Sequence, residues 1–379
     1  MSIICKTIIS HLEELAPKHL AANWDNVGLL IGSETQKIDK VIVTLDVDLE
    51  TIERIIDEEN SKNILIVSHH PVIFPSISSI RTDETYGKMI SKIFKHDISV
   101  YSMHTNLDIA SGGINDILAE KLNLKNTKPL EIISSEQLYK IVCFVPESHL
   151  NKVRDALALA EAGAGHIGNY SNCTFATLGT GTFLPLENTK PYIGTQGNLE
   201  SVAEYRLETI VPESFKDNAI NAMLKEHPYE EVAYDVIPLK NDGNPLGIGR
   251  FGYLENPVKM ADFISQLKEL LNISHVNTAG IKDLNQTIEK VAVCGGSGSN
   301  LIQKAALSGA DIYVTGDLKY HDAQEAVNLG LMVIDAGHFS TENIFAPKIV
   351  DYLQKYTIEH NIELEIIENA SSKNIFKFY

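Results

Sequence analysis

Paired cysteines are missing from this chain. Cys5, Cys143, Cys173 and Cys294 stand singly and far apart, and no C-x-x-C occurs. That excludes a thiolate zinc knuckle and a dithiol redox motif. Cys143 and Cys294 lie inside strand-like runs and read as small buried hydrophobes. Long apolar runs are also missing: nothing approaches the about 18 residues of a membrane span, so no membrane partner is expected. Residues 1–9 lack a charged start leading into an apolar core, so no export signal is expected and the cytoplasm is the expected location. Basic charge is scarce, with 32 Lys and Arg against 50 Asp and Glu and a formal net charge of −18. Duplex binding needs clustered Lys and Arg, so an extended nucleic-acid surface is not expected. A small anionic substrate is not excluded, because bound dications reverse the local field.

What is present is an ordinary globular composition, 44% hydrophobic and 22% charged over 379 residues, enough for two domains or for one with a large insertion. Residues 1–126 alternate strand and helix signals: helix 11–20, strand 41–45, helix 49–59, strand 64–67, helix 85–94, strand 98–101 and helix 114–122. Such alternation implies a largely parallel sheet. Residues 127–244 change character, with strand 139–145, helix 149–161, strands 174–178 and 204–211, helix 217–226 and strand 231–239. That order predicts an inserted ferredoxin-like α+β domain, closed by the turn-type run Asn241-Asp242-Gly243-Asn244-Pro245. Alternation resumes over 245–379, with strands 288–294, 311–315 and 331–334, and helices 260–271, 301–308, 322–329 and 342–357. The fold class expected is therefore α/β, one metal-binding body formed by 1–126 and 245–379 and split by the insertion at 127–244.

Three strings carry the chemistry: Ser68-His69-His70-Pro71, His104-Thr105-Asn106-Leu107-Asp108 and His338-Phe339-Ser340-Thr341-Glu342. Each follows a buried-strand run, and ligands collect at the carboxyl ends of strands in open α/β sheets. Adjacent His69 and His70 diverge on leaving a strand, so they can serve two metals, and Pro71 fixes the turn. The spacing from His338 to Glu342 places both on one face of a helical turn. Asp108 adds an anionic oxygen. Imidazole and carboxylate without thiolate suit two divalent ions, zinc first, with manganese or iron(II) as alternatives. The catalytic candidates are His104, as a ligand or as an acid or base acting beside one, and His321, which also follows a strand. His11, His19, His96, His149, His275 and His360 read as structural. Gly295-Gly296-Ser297-Gly298-Ser299, between strand and helix, could cradle an anion on its amides.

These strings, with Trp24-Asp25-Asn26-Val27-Gly28-Leu29-Leu30-Ile31-Gly32 and Thr315-Gly316-Asp317, resemble the Nif-three-like family, whose members are named GTP cyclohydrolase 1 type 2 homologues. The match runs almost end to end, with no departure at the ligand positions. The resemblance implies a dinuclear site of His69, His70, Asp108, His338 and Glu342, with Glu342 bridging. It further implies a toroidal homohexamer and a PII- or CutA-like middle domain, as in the longer bacterial members. No motif assignable to purine recognition occurs. The expected function is a dinuclear metal-dependent hydrolase acting on a nucleotide or phosphoester. The alternative is a non-catalytic metal-binding scaffold or regulator whose insertion senses a small molecule.

Overall fold

The computed structural model of the chain describes residues 3–58, 63–159, 161–369 and 371–377. Glu59, the expected end of a helix, Ala160, inside another, and Met1 lie outside the described residues. Two compact units emerge: Met1–Ile133 with Leu246–Tyr379, and Ser134–Pro245.

The first unit opens with β1 (Ile3–Ile4) and α1 (Cys5–Leu15). Cys5, Ile8, Ile9 and Leu12 recur at helical spacing in α1 and all are buried. The helix predicted over 11–20 therefore starts earlier. It stops before Pro17, which disfavours a helical predecessor, and its last turn is a separate 3-10 turn at Lys18–Leu20. Next come β2 (Gly28–Ile31), β3 (Lys37–Ile38), β4 (Lys40–Thr44), α2 (Leu49–Glu58) and β5 (Ile64–Ser68). α3 (Thr85–Lys95), β6 (Ser99–Ser102), α4 (Thr105–Ile109) and α5 (Ile114–Lys121) complete this half. β4, β5 and β6 pair in parallel, and every residue in them is buried. A strand covered on both faces has no reason to alternate, which is why these segments read as unbroken β-branched runs. β2, which sequence patterning did not reveal, pairs antiparallel with β6.

Two long strands, β7 (Lys125–Pro146) and β10 (Tyr234–Lys259), each have one end in each unit. Between them lie α6 (Leu150–Leu157), β8 (Thr174–Phe183), β9 (Glu200–Pro212) and α7 (Lys216–Glu226). The strand order is β10-β7-β9-β8, and β9 is antiparallel to both neighbours. The core of this second unit packs Ile141, Cys143 and Leu207 from strands against Val153, Leu157 and Met223 from helices. The Asn241–Pro245 run, expected as a boundary-type linker, does end the second unit at Pro245, but it lies inside β10 rather than in a loop. A Cβ on Gly243 would collide with the Glu136 carbonyl, and Ser135 Oγ donates to Asp242. The turn-type residues there allow close strand approach.

Back in the first unit, α8 (Met260–Leu270), β11 (Asn277–Ala279), β12 (Thr287–Ser297) and α9 (Ile302–Leu307) follow. β13 (Ile312–Gly316), α10 (Tyr320–Asn328), β14 (Met332–Asp335), α11 (His338–Glu342), α12 (Phe345–Glu359) and β15 (Glu365–Glu368) end the chain. β12, β13 and β14 are parallel, with β10 and β11 antiparallel at their flanks. β15 leaves this half to pair parallel with β4, so the two halves interlock. Besides the short β1-β3 pair, the α/β body holds two larger sheets where alternation alone suggests one, and Ile114, Leu118, Phe263 and Phe345 belong to the core they share.

Buried Arg250 ties the halves together. It pairs with Asp116 through two nitrogens and donates to the carbonyls of Gly247, Gly249 and Ala110. Arg250→Ala should lower stability by about 3–5 kcal/mol, because removing one partner leaves the other charge uncompensated. A denaturation midpoint equal to wild type would contradict this. Among the described residues, no helix is long and apolar enough to cross a membrane.

Candidate metal centre

The carboxyl ends of β5, β6, β13 and β14 deliver the polar residues of the site. His69 and His70 leave β5, His104 follows β6, and Asp108 lies one turn further in α4. Asp317 follows β13. After β14, Gly337 adopts φ 84°, a left-handed conformation cheap only for glycine, and sets His338 at the start and Glu342 at the end of α11.

Four imidazoles are tethered by the same nitrogen. Nδ1 of His69 donates to the Met103 carbonyl at 2.7 Å. Nδ1 of His70 donates to Asp46 at 2.7 Å, that of His104 to Asp25 at 2.8 Å, and that of His338 to Asp317 at 2.6 Å. A hydrogen bond at Nδ1 fixes the tautomer and leaves Nε2 as the donor atom, the arrangement usual for metal-ligating histidines. Three of these Nε2 atoms converge on Glu342. His338 and His70 lie 2.8 and 3.1 Å from Oε2, and His69 lies 3.6 Å from Oε1. His69 is fully buried, yet among the described residues its Nε2 has no hydrogen-bond partner, and Asp108 Oδ1 is 3.8 Å away. Nε2 of His70 and of His338 are 3.2 Å apart. Two acceptor nitrogens repel at that distance unless a proton or cation lies between them.

Among the described residues, two groups of donors have their ligand atoms within 4.8 Å of one another: His69, His70 and His104, and His70, His338 and Glu342. The donor set is nitrogen and oxygen only. An unpartnered buried nitrogen costs about 1–3 kcal/mol, and a bound cation would take up its lone pair. The residues fit divalent metal ions. His104, read from sequence as ligand or neighbour, stands among the donors here. Asp108 lies outside both three-residue groups, on the side of His69. His321 does not join either group: it is exposed at the start of α10, its ring edge-on to Tyr320.

The glycine loop corrects an expectation. Its glycine amides are not free for an anion: Gly295 donates to Asn115, Gly296 to Thr341 Oγ1 and Gly298 to Thr315 Oγ1, each at 3.0 Å. Glycine serves clearance instead, since a Cβ on Gly296 would overlap Glu342 Oε1. The carboxylates that hold the histidines, Asp25, Asp46 and Asp317, went unassigned in sequence. Their signal was position, since Asp46 and Asp317 each follow a parallel strand. Asp25 is 79 residues from His104, and no local pattern links them.

Electrostatics follow this geometry. Burial alone would lower the His70 pKa, but hydrogen bonds and charge from Asp46 and Glu342 outweigh it and hold it at about 10. The Glu342 hydrogen bond raises His338 to about 9 against the opposing effect of burial. Burial would raise Glu342, yet the surrounding imidazoles keep it well below the usual carboxylate range. Asp108 is raised by burial, despite His69. Asp25 falls to about 2, because His104 and Thr105 outweigh its burial. For His70 and His338 the folded pKa exceeds the unfolded value of about 6.5. In metal-free protein their stabilisation is complete below that pH and lost as pH rises through 9 to 10. Metal must displace these protons, so uptake near pH 7 should release protons and tighten as pH rises toward 9. Titration of metal-free protein in weak buffer measures this, and uptake without proton release would contradict it.

The Duf34/NIF3 (NGG1p interacting factor 3) family model matches residues 3–374. A Halalkalibacterium halodurans protein named GTP cyclohydrolase 1 type 2 homolog is 44% identical, with 98% of each chain covered. A Bacillus subtilis protein of the same name is 43% identical, covering 100% of this chain and 99% of that one. Among solved structures, a Bacillus cereus protein related to NIF3 superposes with a TM-score of 0.83 at 41% identity, each chain fully covered.

Proposed function

This chain belongs to the Duf34/NIF3 family, and on that premise we propose that it is a hydrolase dependent on two divalent ions per chain, acting on a nucleotide or phosphoester. The observation that carries the reading is the buried Nε2 of His69, without a hydrogen bond among the described residues, beside imidazoles tethered through Nδ1. His69, His70, Asp108, His338 and Glu342 would hold the ions, with Glu342 shared. Zinc, manganese or iron(II), when bound, supplies Lewis acidity and makes water a nucleophile at neutral pH. His104, its Nδ1 fixed by Asp25, is placed to accept a proton at Nε2. Exposed His321 has no part in this reading.

A screen of protein reconstituted with each metal, against nucleotides and phosphoesters, tests it with Glu342→Ala as control. Turnover confined to wild type supports the hydrolase. Equal rates in both proteins would mean a contaminant, and fully metal-loaded protein inert to every compound would reassign the chain as a metal-binding regulator.

The order β7-α6-β8-β9-α7-β10, with sheet order β10-β7-β9-β8, supports a ferredoxin-like, PII- or CutA-type inserted domain. Glu131 and Gly247 are close strand neighbours, so a short Gly-Ser link can join 133 to 246. That variant should keep its metal, and loss of metal would count against a separable domain. A toroidal homohexamer is also proposed, by likeness to the family. Light scattering at micromolar concentration should give about six times the 41.9 kDa chain mass, and a monomer would remove the proposal.

A further inference from the structure

The one tryptophan of the chain is not in a core. Trp24 is 63% exposed, although Asp25 beside it is locked by hydrogen bonds to His104 and to Thr105. Its indole stands edge-on to His104, ring centroids 6.1 Å apart. Phe74, 50% exposed, is edge-on to the same indole at 5.9 Å. Asn26 Nδ2 donates to the Ile73 carbonyl at 2.8 Å, so the residues flanking Trp24 fix both His104 and the loop carrying Phe74. An exposed, rigidly mounted aromatic pair bordering a polar centre marks a binding surface.

His70 and Pro71 also line a cleft of about 330 Å³. Val47, Val72, Tyr86 and Met89 supply apolar wall. Asp46 and Asp48 are its carboxylates, and among the described residues no lysine or arginine lines it. A chain of phosphates reaching from the metal centre into that cleft would meet like charge. Neither this cleft nor the engaged amides of Gly295, Gly296 and Gly298 offer a polyphosphate an anchor away from the metals.

We infer that Trp24 and Phe74 form a stacking platform for a planar aromatic or heteroaromatic group of the substrate, whose single reacting group lies at the metal centre. The inference rests on the hydrolase reading and narrows it to aryl or nucleoside-type esters carrying a single phosphate. Trp24 and Phe74 are specificity residues in it; neither is given a part in bond breaking.

Because Trp24 is the sole tryptophan, its fluorescence, excited beyond tyrosine absorption, reports on the platform directly. Metal-loaded full-length protein would be titrated with phenyl phosphate, propyl phosphate, AMP and ATP. Phenyl phosphate and AMP should quench Trp24 and bind about ten-fold more tightly than propyl phosphate, the gain usual for one stacked ring. ATP should bind no better than AMP. By calorimetry, Trp24→Leu should abolish the aryl preference and Trp24→Phe should keep most of it, with metal content unchanged in both. Equal affinity for the phenyl and propyl esters, a preference that survives in Trp24→Leu, or tighter binding of ATP would overturn the inference. So would a concentration-dependent blue shift of Trp24 without ligand, which would assign the patch to a second copy of the chain. Quenching by phenyl phosphate with no hydrolysis under any metal would instead defeat the hydrolase reading and leave the platform standing. Equal hydrolysis of both esters would do the reverse.

Discussion

Protein carrying Glu342→Ala is expected to purify with almost no bound metal, whereas Asp108→Ala should retain about half. The asymmetry comes from position. Glu342 is the carboxylate within 3.6 Å of three imidazole Nε2 atoms, those of His69, His70 and His338. Asp108 approaches His69 alone among the three, at 3.8 Å. Changing a group that merely orients a ligand costs about 10–100-fold in affinity, and removal of a shared ligand should exceed that. Glu342 is buried, so alanine also leaves a cavity, and Glu342→Gln separates the two effects. It preserves volume but has no charge with which to balance cations. Elemental analysis, alongside circular dichroism to verify folding, gives the answer. A folded Glu342→Gln protein with the wild-type metal ratio would reject the shared-ligand assignment.

Why the donors were legible in sequence while their supports were not is a matter of range. His69 and His70 follow a five-residue strand with no exposed position, and His338 and Glu342 share one turn of helix. Each string is local, so strand periodicity and helical spacing suffice to place it. The tethers are long-range: Asp46 to His70 spans 24 residues and Asp25 to His104 spans 79. An exposed aspartate after a strand looks like any solvated loop residue until the fold brings an imidazole to it. The glycine loop misled for a related reason. Glycines between strand and helix signal a phosphate cradle when their amides are free, and only three dimensions show Asn115, Thr315 and Thr341 already accepting from them. β15 was missed because Glu365–Glu368 is a short, half-exposed edge segment. Its pairing with β4 is set by tertiary packing.

That loop supplies the other large effect: Gly296→Ala should empty the metal centre about as thoroughly as loss of Glu342 itself, without touching a ligand. Gly296 has φ 60°, a conformation costing an L-residue about 1–2 kcal/mol. The added Cβ would overlap Glu342 Oε1 and approach His338 Cε1 to 3.5 Å. Retreat of the loop is opposed by the bonds from Gly296 N to Thr341 and from Gly295 N to Asn115. Retreat of Glu342 carries its carboxylate away from the imidazoles. Gly179→Ala in β8 is the control, because its Cβ would meet nothing nearer than 3.9 Å, and it should load normally. Shortening the carboxylate should relieve the clash, so Gly296→Ala with Glu342→Asp should recover part of the metal that Gly296→Ala alone loses. Metal content at the wild-type level in folded Gly296→Ala protein would show that the loop yields, and that clearance for Glu342 is not what requires glycine there.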